Sequence, residues 1–411
     1  MMEFMHTKLD NGLVVVGERN EAAQSMACGY FVKTGSRDET PEVSGVSHFL
    51  EHMMFKGGDR RSADDINREF DELGAQYNAF TSTENTVYFG RVLPECQARL
   101  IDLLTDMMRP ALRNDDFEME KKVILEEIAM YKDNPASVAY WEGLELFANG
   151  HPSGNSVLGT TESISVLERD QMMSYFERRY SPGNIMVGLT GAFDWDAAVR
   201  QIDEATRDWV PFDVGRETPE LECAVETKVV QNNQFTQEHL IWFWPGLSLQ
   251  DERRRAAAVL ADVLGDSVGS RLYWGLVDPG VANSAAMGHS AQDRFGTFRA
   301  YASCDPERAG EVVQKVQNIL KDAVENGVSE DEIERAKQKG ASSIVLHSET
   351  PMGRLVPVGM AWAYRGEYID TDEAVNRLLS VTKEDVETLL AEDPFAKGTL
   401  VALGPLETLE A

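Results

Sequence analysis

The chain repeats part of its own pattern at a long, constant spacing. Residues 164–170 and 183–187 resemble residues 379–385 and 398–402, with one offset of 215 residues (from 164 to 379 and from 183 to 398). Each copy has the pattern of a capped helix followed by a short apolar strand. A repeat this long indicates two similar domains, because solenoid repeats have periods of roughly 20–50 residues. A chain of 411 residues also exceeds one ordinary hydrophobic core.

The boundary between the two copies is predicted from composition. Residues 211–226 are rich in proline and acidic residues and have no hydrophobic periodicity, which is typical of a linker. In both halves apolar strand candidates alternate with amphipathic helices. We therefore predict an α+β fold of two similar domains, each a mixed, mostly antiparallel sheet packed by helices. The predicted domains are residues 1–210 and residues 227–411, joined by the linker at 211–226.

Charge and cysteine content exclude several classes of protein. The chain has 69 acidic and 39 basic side chains and a formal net charge of −30, so we expect no nucleic-acid or anionic-membrane partner. Its four cysteines lie far apart, which predicts neither a disulfide framework nor a thiolate zinc site. Neither a signal-peptide pattern nor an apolar run of about eighteen residues occurs. We expect a cytoplasmic protein.

The strongest chemical signal is the sequence HFLEH at residues 48–52. Apolar residues around it recur at helical spacing, so the polar residues fall on the opposite face of a predicted helix. His48 and His52 are one turn apart and can present two imidazoles to one zinc ion. Glu51 lies beside them, where a carboxylate can accept a proton from water. The motif is H-x-x-E-H, the inverted order of the zincin helix.

A catalytic zinc site needs a third protein ligand. The sequence predicts a helix that starts near Asn114 and ends before Asn134, and it is rich in glutamate. Glu120 and Glu127 are seven residues apart and share a face, and Glu126 is a further candidate. One glutamate could bind the metal while another holds a ligand histidine. Spacing alone does not choose between them.

Taken together, these segments resemble the pitrilysin-type zinc peptidases of the inverzincin class. The likeness is greatest to the branch that contains mitochondrial processing peptidase and short bacterial relatives, and it extends over nearly the whole chain. The matching segments are residues 48–52, 74–82, 123–128, 151–159, 180–184 and 270–272. The resemblance implies a processing-peptidase-like fold and one Zn²⁺ ion per chain.

The resemblance also implies roles for individual residues. His48, His52 and Glu127 would be the zinc ligands and Glu51 the general base, and Glu120 would be the carboxylate behind a ligand histidine. Asn78, Ala79 and Phe80 would contact the substrate, as when an extended peptide adds to a sheet edge.

The implied function is a zinc-dependent endopeptidase that hydrolyses short or unfolded peptides in a closed chamber formed with a second chain. The second chain would make a homodimer or a heterodimer with a related chain. An acidic chamber wall would favour basic, presequence-like peptides.

One feature of the family pattern is missing. Active members carry an arginine and a tyrosine seven residues apart in the second half. By the resemblance, Val277 and Asn283 take those places here, six residues apart, with one residue deleted between them. Arg354 and Tyr364 lie further on with a different spacing. We therefore expect a zinc-bearing subunit whose related partner supplies the pair. The alternatives are a noncatalytic assembly subunit of the same fold, or a peptide chaperone that holds zinc but cleaves poorly alone.

Overall fold

A computed structural model describes residues 2–409, which form two compact units. Unit 1 contains the described residues up to Ile128, together with Asn155–Glu217 and Leu346–Asp370. Unit 2 contains Ala129–Gly154, Thr218–Val345 and the described residues from Thr371 onward. Each unit therefore takes segments from both halves of the sequence.

Each unit is built around one β-sheet. The strands of unit 1 are β1 (Met2–Lys8), β2 (Val14–Asn20), β3 (Met26–Val32), β4 (Gln76–Thr81), β5 (Thr86–Val92) and β6 (Ile185–Gly191). The strands of unit 2 are β7 (Thr227–Gln231), β8 (Glu238–Gly246), β9 (Ser284–Ala291), β10 (Gly296–Cys304) and β11 (Thr399–Gly404).

The two sheets have the same strand order. The order is β1-β2-β6-β3-β5-β4 in unit 1 and β7-β11-β8-β10-β9 in unit 2, so that β1 alone lacks a counterpart. In each sheet one pair is parallel, β2 with β6 and β7 with β11, and the other neighbours are antiparallel. This confirms the predicted α+β fold with two duplicated, mostly antiparallel sheets.

Helices cover these sheets. They are α1 (Val46–Met54), α2 (Ala63–Glu72), α3 (Gln97–Met107), α4 (Asn114–Lys132), α5 (Pro135–Ala148), α6 (Thr161–Val166), α7 (Arg169–Arg179), α8 (Trp195–Thr206), α9 (Arg254–Gly265), α10 (Ala309–Asn326), α11 (Glu330–Ser348), α12 (Pro351–Arg365), α13 (Thr371–Leu379) and α14 (Lys383–Ala391).

Both faces of each sheet are buried. Successive side chains of a strand point to opposite faces, and in β3 Tyr30 enters the large core beneath α1 and α3 while Phe31 packs on the other side against α12. In β8 the side chains of Trp242 and Phe243 likewise point to opposite faces of the sheet, and α5 covers the face that holds Phe243. Each sheet is thus the middle layer of its unit.

The helices α5 and α12 occupy equivalent places in the two units. Each starts with an N-cap residue followed by proline, and each brings a glycine, Gly143 or Gly359, against a strand. A Cβ atom at Gly359 would lie 2.3 Å from the ring of Phe31, and one at Gly143 would lie 2.8 Å from the ring of Phe243. Only glycine permits this close approach of helix to sheet.

The predicted domain limits divide the chain differently from the compact units. The predicted first domain, residues 1–210, includes α5, whereas the structure groups α5 with the second sheet. The predicted second domain, residues 227–411, includes α12, which packs on the first sheet. Residues 211–226 contain neither helix nor strand.

Candidate metal centre

The helix α1 is fixed at its start by a buried carboxylate and at its end by a glycine turn. Glu39 accepts hydrogen bonds of 2.7 Å from the backbone N–H groups of Gly45 and Ser47, which are the free donors of the first turn. After the helix, Gly57 has φ of +87°, and a Cβ atom there would lie 2.1 Å from the carbonyl oxygen of Arg61. The predicted apolar face of α1 is fully buried.

The helix α4 is held beside α1 by aromatic packing. The ring of Phe49 on α1 stacks on Phe117 of α4 with a centroid distance of 4.7 Å. Phe117, Ile124 and Ile128 are buried, and they fix which face of α4 points toward α1. Glu120 and Glu127 follow on the side that faces the two histidines, whereas Glu126 is exposed.

The three predicted ligands lie together. Nε2 of His48 is 3.8 Å from Oε2 of Glu127, and Nε2 of His52 is 3.6 Å from the same oxygen. One ligand atom from each residue lies within 4.8 Å of the other two, and residues 2–409 contain no other such group of three. Ligand atoms around tetrahedral zinc are roughly 3.4 Å apart. Two imidazoles and a carboxylate at these distances therefore fit a single zinc ion.

Glu120 does not join the three predicted ligands but contacts one of them. Its Oε1 lies 2.9 Å from Nδ1 of His52, and its Oε2 lies 2.5 Å from Nζ of Lys56. With Nδ1–H donating to Glu120, the lone pair of His52 is on Nε2, which faces Glu127. Burial alone would raise the pKa of Glu120, but its contacts with His52 and Lys56 outweigh burial and lower it.

The histidines differ in their surroundings. Burial, with a smaller contribution from the neighbouring His52, lowers the pKa of His48 to about 3, which keeps its imidazole in the neutral form that metals bind. Burial acts on His52 in the same direction, but the hydrogen bond and charge of Glu120 and the charges of Glu127 and Glu51 raise its pKa overall.

Glu51 is buried between α1 and the end of β4. The hydroxyl of Thr81 donates a hydrogen bond of 2.5 Å to its Oε2. Burial raises the pKa of Glu51, and the hydrogen bond from Thr81 partly opposes that rise. A carboxylate whose pKa is raised is a stronger base, and it can accept a proton and later return it.

The predicted substrate-binding segment lies on an edge strand. β4 pairs with β5 on one side, and its other side has no partner strand within residues 2–409. Asn78 is exposed, Ala79 is buried in the core of unit 1, and Phe80 is half-buried against the opposite face of the sheet. Because α1 packs against β4, this free edge lies next to the helix that carries His48 and Glu51.

Thr81 and Lys56 were not predicted from the sequence. For Lys56 a signal was present, because residues 48, 52 and 56 continue one helical face at four-residue spacing. For Thr81 no local signal exists, since its bond to Glu51 joins residues 30 positions apart.

The residues considered as substitutes for the missing arginine and tyrosine have other partners. Nε of Arg354 donates to both carboxylate oxygens of Glu18, at 2.8 and 3.1 Å, within the buried contact between α12 and β2. The hydroxyl of Tyr364 donates to the carbonyl oxygen of Glu84 at 3.2 Å. Both side chains thus attach α12 to the rest of unit 1.

None of the helices within residues 2–409 is long and apolar enough to cross a membrane.

Two family profiles match the chain. Residues 14–161 match the insulinase profile of peptidase family M16, and residues 167–339 match the profile described as the peptidase M16 inactive domain. An uncharacterized zinc protease of Streptomyces coelicolor is 33% identical over 98% of this chain and 90% of its own length. One from Bacillus subtilis is 31% identical over 96% of both chains.

Solved structures share the fold. A protease from Helicobacter pylori superposes with a TM-score of 0.89 at 20% identity, over 98% of this chain and all of its own. An M16-like peptidase from Alicyclobacillus acidocaldarius superposes with a TM-score of 0.83 at 22% identity, over 98% of each chain. At these identities the likeness concerns the fold.

Proposed function

The chain belongs to the insulinase family of peptidases, family M16, and on that premise we propose that it is a zinc-dependent endopeptidase of the H-x-x-E-H type. The observation that carries the proposal is the convergence of His48, His52 and Glu127 within 4.8 Å. Glu51 is buried on the same helix as the two histidines.

Glu51 performs the proton transfers in this mechanism. When zinc is bound, it lowers the pKa of water and polarises the scissile carbonyl group. Glu51 accepts a proton from the attacking water and later donates it to the leaving amine. Thr81 orients the carboxylate through the hydrogen bond to Oε2, and Glu120 holds His52 in the tautomer that leaves Nε2 free.

The substrate is an extended peptide that adds to the free edge of β4. Such an edge offers unpaired backbone N–H and C=O groups, which an unfolded segment can satisfy by pairing as an extra strand. Asn78, Ala79 and Phe80 lie on that strand. Short or unfolded peptides meet the requirement, and the net charge of −30 favours basic ones.

A second chain completes the enzyme in this proposal. The family resemblance of the sequence implies that Val277 and Asn283 replace the arginine and tyrosine of active members. Arg354 and Tyr364 are engaged in contacts within unit 1. We therefore propose a closed chamber formed with another chain of this size, either a second copy or a related chain that supplies the pair. The same absence favours the alternative that the chain alone binds zinc without cleaving.

The test compares Glu51→Gln with wild type in metal content and in cleavage of a fluorogenic, unstructured basic peptide. We expect about one zinc per chain in both proteins. The cleavage rate of Glu51→Gln should fall by about 10²–10⁴-fold, because the general base is lost. Glu126→Gln is the matched control, since Glu126 is an exposed glutamate on α4. It should retain both properties.

Each protein is assayed alone and after coexpression with a related chain that carries the arginine and tyrosine. Cleavage only in the coexpressed sample would support the two-chain enzyme. Undiminished cleavage by Glu51→Gln would refute the proposed mechanism, and a chain that binds no zinc would refute the metal centre.

A further inference from the structure

Lys56 forms the outer end of a chain of contacts that leads to the metal ligands. Its Nζ lies 2.5 Å from Oε2 of Glu120, whose other oxygen lies 2.9 Å from Nδ1 of His52. The side chain of Glu120 is only 7% exposed, and that of Lys56 is 26% exposed. The pair is therefore largely shielded from water, unlike the many solvated ion pairs of this acidic protein.

The backbone around Lys56 is fixed on both sides. The carbonyl oxygens of Lys56 and Gly58 accept hydrogen bonds of 3.1 and 2.5 Å from the guanidinium group of Arg113, which immediately precedes α4. The carbonyl of Gly57 accepts a further bond from the N–H of Ala111. The end of α1 is thus joined to the segment before α4, and the lysine is held in place before its side chain makes any contact.

The two carboxylate oxygens of Glu120 accept from different donors, Oε1 from His52 and Oε2 from Lys56. An ammonium group only donates hydrogen bonds, so it occupies Oε2 and leaves Oε1 to accept from Nδ1–H of His52. Without Lys56 the carboxylate could rotate or turn toward water, and neither the ring orientation nor the tautomer of His52 would be fixed. Carboxylates behind ligand histidines typically affect metal affinity about 10–100-fold.

We propose that Lys56 is a positioning residue of the metal centre, which acts through Glu120 to orient His52 for zinc binding. The inference rests on the proposed function, because it concerns the same ion. It assigns Lys56 no contact with the metal or the substrate.

The test is the zinc affinity of the metal-free protein, measured by competition with a chelating dye. Lys56→Met keeps the length of the side chain but removes its charge, and we expect at least about tenfold weaker binding. Lys56→Arg should recover part of the loss, since arginine can also donate to Oε2. Lys122→Met is the matched control, because Lys122 is an exposed lysine on α4 two residues from Glu120. Its affinity should equal that of wild type.

A double-mutant cycle separates positioning from general loss of stability. Glu120→Gln should weaken zinc binding, and Lys56→Met should add little to that loss, because Lys56 acts only through Glu120. Multiplicative losses in the double variant would overturn the inference. So would wild-type affinity in Lys56→Met.

Melting of the metal-free proteins shows whether each variant is folded. If Lys56→Met does not fold, Lys56→Gln and Lys56→Arg provide the same comparison. Failure of the proposed function would look different, because wild type itself would then bind no zinc or cleave no peptide.

Discussion

Thr81 ends the strand β4, and its hydroxyl is bonded to the carboxylate of Glu51. The strand on which we place the peptide is therefore in direct contact with the residue that we propose as the general base. A shift of β4 on peptide binding would move the hydroxyl and with it the carboxylate. Thr81 thus links the proposed position of the substrate to that of the proposed base.

Thr81→Val removes the hydroxyl at nearly constant volume. A hydrogen bond to a charged group contributes about 1.5–3 kcal/mol, so we expect kcat to fall by about 10–100-fold with unchanged zinc content. Thr81→Ser, which keeps the hydroxyl, should retain most of the activity. Peptide cleavage and metal analysis of both variants provide the measurement. An active Thr81→Val protein would show that Glu51 does not depend on this contact.

Local spacing predicted the residues of α1 but left the third ligand open. His48, Glu51 and His52 belong to one helix, so their relative positions follow from its period. The choice among Glu120, Glu126 and Glu127 depends on the rotation of α4, which the stacking of Phe49 on Phe117 fixes. That contact joins distant parts of the chain, and a single sequence does not reveal it.

Helix α5 lies in the first half of the sequence but packs on the second sheet, and helix α12 lies in the second half but packs on the first sheet. The repeat predicted that the two halves have the same elements, and the strand orders agree with it. It did not predict which sheet each helix covers. An apolar helical face has the same pattern whichever sheet it packs against, so periodicity carries no information about the partner. The structure shows which sheet each helix covers: Gly143 of α5 packs on Phe243 of β8, and Gly359 of α12 packs on Phe31 of β3.

Gly359→Ala tests this close packing. In an exposed helix the change would stabilise the protein by about 1 kcal/mol. Here the added Cβ would lie 2.3 Å from Cζ of Phe31. We therefore expect the free energy of unfolding to fall by about 1–3 kcal/mol, as for other overpacked cores. Denaturant unfolding of the metal-free protein measures it.

The smaller side chain in Phe31→Leu provides the control. In the Gly359→Ala background it should cost less stability than it does in wild type, because it makes room for the new methyl group. A Gly359→Ala protein more stable than wild type would contradict the packing of α12 on β3.

Unit 1 needs a segment from near the end of the sequence, Leu346–Asp370, to cover one face of its sheet. Without Leu346–Asp370 one face of its sheet would lose the helix that covers Val16, Phe31 and Met186. An exposed apolar face of this kind promotes aggregation.

We therefore predict that residues 1–210 alone, the domain expected from the sequence, do not form a stable monomer. The fragment should elute as aggregates in size-exclusion chromatography and bind a hydrophobic dye. The control fragment contains only the segments of unit 1. In it a flexible linker replaces residues 129–154, which include α5, and residues 346–370 are fused after residue 217. It should be monomeric and bind less dye. A monomeric 1–210 fragment that unfolds cooperatively would contradict the prediction.

Because α12 comes from near the end of the sequence, unit 1 is completed late in translation. A ribosome adds about 5–20 residues per second, so α12 emerges roughly 10–35 s after β6 has been made. Throughout that interval the first sheet has its strands but not its outer helix. The predicted metal ligands are synthesised early, yet the unit that holds them is completed only near the end of translation. A chain that terminates before residue 346 carries all three predicted ligands in a unit that lacks the helix over one face of its sheet.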